Sequence, residues 1–155
     1  IDTLAGDFAL GLTPTGSADP YGLRRAAFGI VKIAIEKKVS FSLKELMIQA
    51  LANLPLNLDD KAKIISQLED FIKQRLDTYL KEKNILQDEA DSVLSVRLVD
   101  ILDAFNRAVA VHSIRKLPDF EPIAVSFKRI GNILKQAGIR DEGRGTRDID
   151  ENLLR

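Results

Sequence analysis

Between Ile64 and Leu80 the apolar side chains Ile64, Ile65, Leu68, Phe71, Ile72, Leu76, Tyr79 and Leu80 recur three or four positions apart. That is the period of an α-helix with one buried face. Asp59 and Asp60 stand where a helix needs an N-cap, and Asn84 suits its end, so the spacing predicts one long helix over 59–83. Six basic residues balance six acidic ones along it, the composition of a solvated outer face. An apolar stripe this long has to be covered by other elements. No segment alternates apolar and polar residues over a convincing strand length, so those elements are expected to be helices as well.

Helix signals occupy most of the remaining chain. A short helix is predicted from Asp2 to about Leu10, followed by a turn-rich loop from Gly11 to Asp19. Asp19-Pro20 reads as a helix start, with Asp accepting from free N–H groups and Pro as the first helical residue. The helix it opens is predicted to reach about Lys37. Leu23, Ala27, Ile30, Val31, Ala34 and Ile35 cover much of its circumference, leaving a narrow polar stripe of Arg25, Lys32 and Glu36. A helix apolar nearly all round is expected to be buried. Arg24 falls between Val31 and Ile35 on that wheel. Burial there demands a carboxylate or carbonyl partner, for which Asp7 or Asp19 is the natural choice.

Ser42-Leu-Lys-Glu45 is a capping box that opens a helix to about Leu54, where Pro55 stops it. Helical pattern resumes near Asp88 and runs to Leu117, with a break expected near Ser95 and an end at Pro118. A further amphipathic helix is predicted from Phe120 to Ala137, with Ile123, Phe127, Ile130 and Leu134 inward and Gly138 just past its end. Residues 140–147, R-D-E-G-R-G-T-R, read as a flexible linker, and a last short turn is expected at 149–154. The fold class is all-α, an irregular multi-helix bundle of about six to eight helices.

Composition then narrows the function. The chain of 155 residues has 23 Lys+Arg against 23 Asp+Glu, a formal net charge of zero. A domain that grips nucleic acid through bulk charge alone is thereby excluded. Cysteine is absent, which removes disulfides, thiolate nucleophiles and Cys-based zinc sites. His112 is the only His, so no site needing two His ligands can form within the chain. Lying mid-helix between Val111 and Ser113, it reads as a surface or satisfied, partly buried residue. Neither GxGxxG nor GxxxxGK[ST] occurs, and no apolar run reaches the roughly 18 residues of a membrane span. No catalytic residue and no metal ligand is predicted. The opening Ile1-Asp2-Thr3-Leu4 has no initiator Met, basic n-region or cleavage signal, and is expected to be an internal boundary of a longer protein.

Two features exceed a plain helical scaffold. The first is the run T-P-T-G-S-A-D-P-Y-G-L-R-R-A-A, residues 13–27. The second is S-F-K-R-I-G-N-I-L, residues 126–134. From Ile123 to Arg140 there are four bases and no acid. Lys128, Asn132 and Lys135 share one helix face with Arg129 beside them, a small positive stripe suited to phosphates. An aromatic placed for base stacking is missing from it, because Phe127 is assigned to the apolar face.

These same residues carry a family resemblance. Asp2-Thr3-Leu4 followed by P-T-G-S-A-D-P-Y-G-L-R-R-A-A (14–27) closely resembles the beta subunit of bacterial heterotetrameric glycyl-tRNA synthetase, in which K-L-D-T-L-x-G leads into G-S-x-D-P-[FY]-x-L-R-R-x-A. F-I-K-Q-R-L (71–76) is similar to the family's F-x-x-x-R-L helix, and F-K-R-I-G-N-I-L (127–134) to its K-R-[IV]-x-N-I-L element. D-E-A-D-S-V-L-S-V (88–96) is similar to a D-x-[IV]-x-A-V-L segment, from which Ser92 and Ser95 depart.

The resemblance implies an interior piece of a ligase subunit that is itself not catalytic. Residues 1–38 would be the last helices of an HD-like domain, 39–139 a helical body, and 140–155 a linker toward a C-terminal anticodon-binding domain. The family's alpha subunit holds the class II site for ATP, Mg and glycine, so no cofactor is expected in this segment. Implied partners are that alpha subunit and tRNA(Gly), in a cytoplasmic alpha2beta2 enzyme with no membrane association. Arg25, Lys32, Lys128, Arg129, Asn132 and Lys135 become the candidate tRNA contacts. Gly16, Asp19, Pro20 and Arg24 are read as a structural junction of turn, cap and anchor. The competing reading is a pure inter-subunit scaffold that tRNA never touches, which the zero net charge favours. A self-contained HD phosphohydrolase is disfavoured because its His/Asp set is missing.

Overall fold

The computed structural model describes residues 1–14, 16, 19–55 and 60–136. Among these the chain forms helices α1 (Asp2–Ala9), α2 (Leu23–Glu36), α3 (Leu43–Ala52), α4 (Lys61–Glu82), α5 (Gln87–Leu94), α6 (Ile101–Ile114) and α7 (Phe120–Gln136), and no strand. The all-α expectation holds. The chain falls into two compact units, residues 1–114 with α1 to α6, and residues 115–155, which contain α7.

The first unit is built on α4. Its positions Leu68, Ile72, Leu76 and Leu80, four residues apart, are each no more than 1% exposed. Helices α1, α2, α3, α5 and α6 all pack against it. Two aromatic residues of α4 extend the packing. Phe71 meets Phe8 of α1 with ring centroids 5.2 Å apart. Tyr79 meets Phe28 of α2 at 6.0 Å and Phe105 of α6 at 5.9 Å. The neighbours also close on one another, α1 on α3 and α2, and α6 on α2 and α5. Each fully buried leucine or isoleucine contributes roughly 1.5–3 kcal/mol, so the stripe is a substantial part of the core that the six helices share.

Local chemistry sets the ends. Asp60 caps α4, its Oδ1 accepting from the Lys63 N–H at 2.9 Å, while Asp59 lies outside the described residues. Asn84 follows α4 at φ +61°, the left-handed conformation that ends helices. The Glu45 N–H donates to Ser42 Oγ at 3.4 Å to open α3. The break expected near Ser95 is a full connection, residues 95–100, between α5 and α6. It is pinned to α4, because the N–H of buried Leu98 donates to Glu69 Oε1 at 2.9 Å.

Three expectations need correction. α2 begins at Leu23, not Pro20. Residues 19–22 form a turn instead, closed by the Gly22 N–H on the Asp19 carbonyl at 3.1 Å. α2 is also not buried all round, since Ile33 is 61% exposed. Finally, Ile123, Phe127, Ile130 and Leu134 are exposed, Phe127 to 70%. Within its own unit α7 leaves this apolar face uncovered by the described residues. The expectations for Gly138, 140–147 and 149–154 lie outside the described residues.

Two carboxylates join distant parts of the first unit. Asp100 caps α6 by accepting from the Asp103 N–H at 3.0 Å. Its other oxygen accepts from the Ser40 hydroxyl at 2.5 Å and the Phe41 N–H at 2.8 Å, tying the α2–α3 connection to α6. Glu89, 2% exposed, accepts from the Leu86 N–H at 3.0 Å at the start of α5, and meets His112 Nδ1 of α6 at 2.7 Å. His112 is thus a partly buried, partnered residue of the fold.

The Asp100 node generates a pH prediction. Burial pushes its carboxyl up. The Ser40 hydroxyl and the N–H groups of Asp103, Phe41 and Leu102 outweigh that and hold it below its ordinary 3.8. A carboxyl depressed on folding stabilises above its unfolded value, and the contribution is lost as pH falls through the folded one. Asp100→Ala should therefore lower stability at pH 7 by about 1–3 kcal/mol. The gap to wild type should narrow as pH falls below 3.8. Urea unfolding at pH 7 and at pH 3 measures both, and a gap that stays constant contradicts this account.

Candidate nucleic-acid interface

The described residues of the 13–27 run, 13, 14, 16 and 19–27, form part of the connection from α1 and the first turns of α2. The Asp19 carboxylate accepts from the N–H groups of Leu23 and Arg24 at 2.8 and 3.0 Å, satisfying two donors that open α2. Asp19 therefore caps the helix from four residues upstream, across the Pro20–Gly22 turn. Gly22 has φ +68°, where a side chain is strained, and Gly16 has φ +53°. The Arg24 guanidinium, partly buried, donates from Nη2 to the Gly16 carbonyl at 2.6 Å. A carbonyl of the preceding loop is thus one partner of this arginine, while both oxygens of Asp19 serve the backbone.

Arg25 takes the opposite direction. It is exposed and folds back over Gly22. A Cβ added to Gly22 would lie 3.0 Å from Arg25 Nη2, 3.5 Å from Nε and 3.6 Å from Cζ. Among the described residues Arg25 makes no ion pair or hydrogen bond. Lys32, two turns along the exposed face of α2, is 3.8 Å from Glu36, a solvated pair of little energetic weight. Arg25 is the less neutralised of the two cations.

The second group lies on α7. Lys128, Arg129 and Asn132 are on that helix, the two cations exposed, and Lys128 and Arg129 form no ion pair among the described residues. Lys135 falls within the same helix, and its side chain is outside the described residues. Phe127, at 70% exposure, stands beside Lys128 rather than inside a core. The six candidates thus fall into two sets, Arg25 with Lys32 on α2, and Lys128, Arg129, Asn132 and Lys135 on α7.

Other clusters are structural. A cleft of about 480 Å³ places Lys44, Lys73 and Arg97 around Glu69 and Asp70. There Glu69 already holds Lys73 at 3.3 Å and the Leu98 N–H, so the charges largely cancel. Arg75 lies over the Phe71 ring, 5.3 Å from its centroid. Among the described residues no group of three or more His, Asp and Glu gathers as a metal site, and no helix is long and apolar enough to cross a membrane. Sequence reasoning passed over Tyr21, which is 60% exposed in the 19–22 turn. Its place between Pro20 and Gly22 was the available signal.

The two adjacent arginines should separate in experiment. Arg24→Ala removes the tie to Gly16 and should lower the melting temperature by roughly 4 °C, the equivalent of about 1 kcal/mol. Arg25→Ala removes only an exposed side chain and should melt as wild type. Coincident thermal melts for the two variants would remove this distinction.

A family model described as glycyl-tRNA synthetase beta subunit matches residues 1–95. The glycine–tRNA ligase beta subunit of Desulforapulum autotrophicum is 40% identical over 137 residues, which cover 88% of this chain and 20% of the relative. That of Geobacter metallireducens is 40% identical over 141 residues, covering 88% of this chain and 20% of the relative. That of Clostridioides difficile is 33% identical over 155 residues, all of this chain and 22% of the relative. The chain spans about a fifth of the length of the curated relatives it matches. With the match running from α1 through α5, the chain belongs to the glycyl-tRNA synthetase beta subunit family.

Proposed function

We propose that this segment is a non-catalytic, tRNA-supporting part of a glycine–tRNA ligase beta subunit. The whole enzyme attaches glycine to tRNA(Gly) with ATP and Mg bound by the alpha subunit, as a cytoplasmic alpha2beta2 assembly. The observation that carries the reading is the polar face of α7. There Lys128, Arg129 and Asn132 present two cations and an amide, with no acidic residue from Ile123 to the end of the helix. Phosphate oxygens are the complementary ligand for such a face, which positions an RNA backbone without reading its sequence. Arg25 on α2 offers a second cation of the same kind. In this reading residues 1–38 close an HD-like domain and residues 39–139 form the helical body.

A scaffold reading keeps one observation of its own. Zero net charge, together with the exposed apolar residues Ile123, Phe127 and Ile130 on α7, also suits a face that binds protein. The alpha subunit would then sit on α7, and tRNA elsewhere.

Salt dependence separates the two. In the full-length beta subunit assembled with its alpha subunit, Lys128→Ala with Arg129→Ala should weaken binding of a tRNA(Gly) transcript. The slope of log K against log salt should fall by about one for each phosphate no longer neutralised. Unchanged affinity and slope, with loss of alpha-subunit association instead, would establish the scaffold.

A further inference from the structure

We propose that the α1–α2 junction is a nucleobase site, with Tyr21 as the stacking platform and Arg25 as the neighbouring phosphate contact. The inference rests on the reading that this segment meets tRNA, and adds a kind of contact that the basic face of α7 does not supply.

A half-open pocket of about 240 Å³ lies here, lined by Leu12, Thr13, Pro14, Pro20, Tyr21 and Leu23 among others. Pockets for drug-sized ligands begin at roughly 300 Å³, so this one suits a single planar ring. Tyr21 is 60% exposed, whereas Tyr79, the other tyrosine, is 3% exposed inside the core. An exposed aromatic is unexplained by packing. The turn that carries it is set by Pro20 and closed by the Gly22 N–H on the Asp19 carbonyl at 3.1 Å. A backbone turn already closed leaves only the side chain to be fixed when a base stacks on the ring.

Arg25 supplies the charge. Its guanidinium lies over Gly22, the residue after Tyr21, where any Cβ at position 22 would crowd it at 3.0 Å. It makes no ion pair among the described residues. The negative charge of Asp19, which also borders the pocket, is directed at the first N–H groups of α2. An aromatic ring, a small apolar pocket and an unneutralised guanidinium in one short segment match a nucleotide with its base in the pocket and its phosphate on Arg25. An apolar side chain of a partner protein would fill the pocket but leave the guanidinium unused. Stacking accepts any base, so the site fits an unpaired nucleotide of the tRNA.

The two contacts have different signatures. Stacking is insensitive to salt, and phosphate neutralisation is not. In the full-length beta subunit assembled with its alpha subunit, Tyr21→Ala should weaken a tRNA(Gly) transcript roughly tenfold at both low and moderate salt, with the salt slope unchanged. Tyr21→Phe keeps the ring and should bind within about twofold of wild type. Arg25→Ala should lower the slope by about one. Thermal melts should match wild type for all three, since both side chains are exposed. If Tyr21→Ala binds normally while Lys128→Ala with Arg129→Ala is weakened, the base site is wrong and the tRNA reading stands. If neither weakens binding, the tRNA reading fails and takes this site with it. Equal loss in Tyr21→Ala and Tyr21→Phe overturns stacking, because the ring is then not the contact. Release of the alpha subunit by Tyr21→Ala with tRNA affinity intact assigns the pocket to protein and overturns the proposal.

Discussion

The apolar face of α4 is the constraint on which the first unit depends. Leu68, Ile72, Leu76 and Leu80 have almost no solvent contact, and five helices are needed to achieve that. No sheet is present among the described residues to organise the packing, so the positions of the other helices follow from how each covers a part of this stripe. α2 covers one side and reaches α6, while α1 and α3 cover another and reach each other. The exposed outer faces of α2 and the α1–α2 junction are consequences of that arrangement. What α2 commits to α4 leaves Arg25 and Lys32 on the opposite side.

Apolar burial alone would leave the helix ends loose, and two acids hold them. Asp100 accepts from groups 59 and 60 residues earlier in the chain while capping α6. Glu89 fastens the start of α5 and meets His112 on α6. Both are placed at helix starts, where free N–H groups favour a negative charge. The same device recurs at Asp19, which caps α2 from outside the helix and so frees Gly22 to take its left-handed conformation. The two arginines that follow are sorted by this cap, Arg24 back toward Gly16 and Arg25 over Gly22.

Most of the helices were legible because periodicity and capping are local. The stripe of α4, the Ser42 and Asp60 caps, Asn84 and the interruption near Ser95 all act within a few residues of where they are written. The start of α2 was misread because Asp19-Pro20 resembles a cap and first turn, and only the three-dimensional turn shows the cap acting at a distance of four residues. Asp100 and Glu89 were not legible, since their partners lie 23 to 60 residues away. The exposure of α7's apolar residues was not legible because amphipathicity says that a face is apolar, not that anything covers it. Of the candidate interface, the cations were visible as residue types on a helix wheel. Tyr21 left no periodic trace, and only its place between Pro20 and Gly22 pointed to an exposed turn.

The central position of α4 also governs how the first unit opens. Its amides are bonded along a helix of 22 residues whose buried side is closed by five neighbours. Peeling away one neighbour, such as α1 or α5, uncovers only part of it. Hydrogen exchange in the middle of α4 therefore requires opening of the whole unit, and its rate reports the global folding free energy.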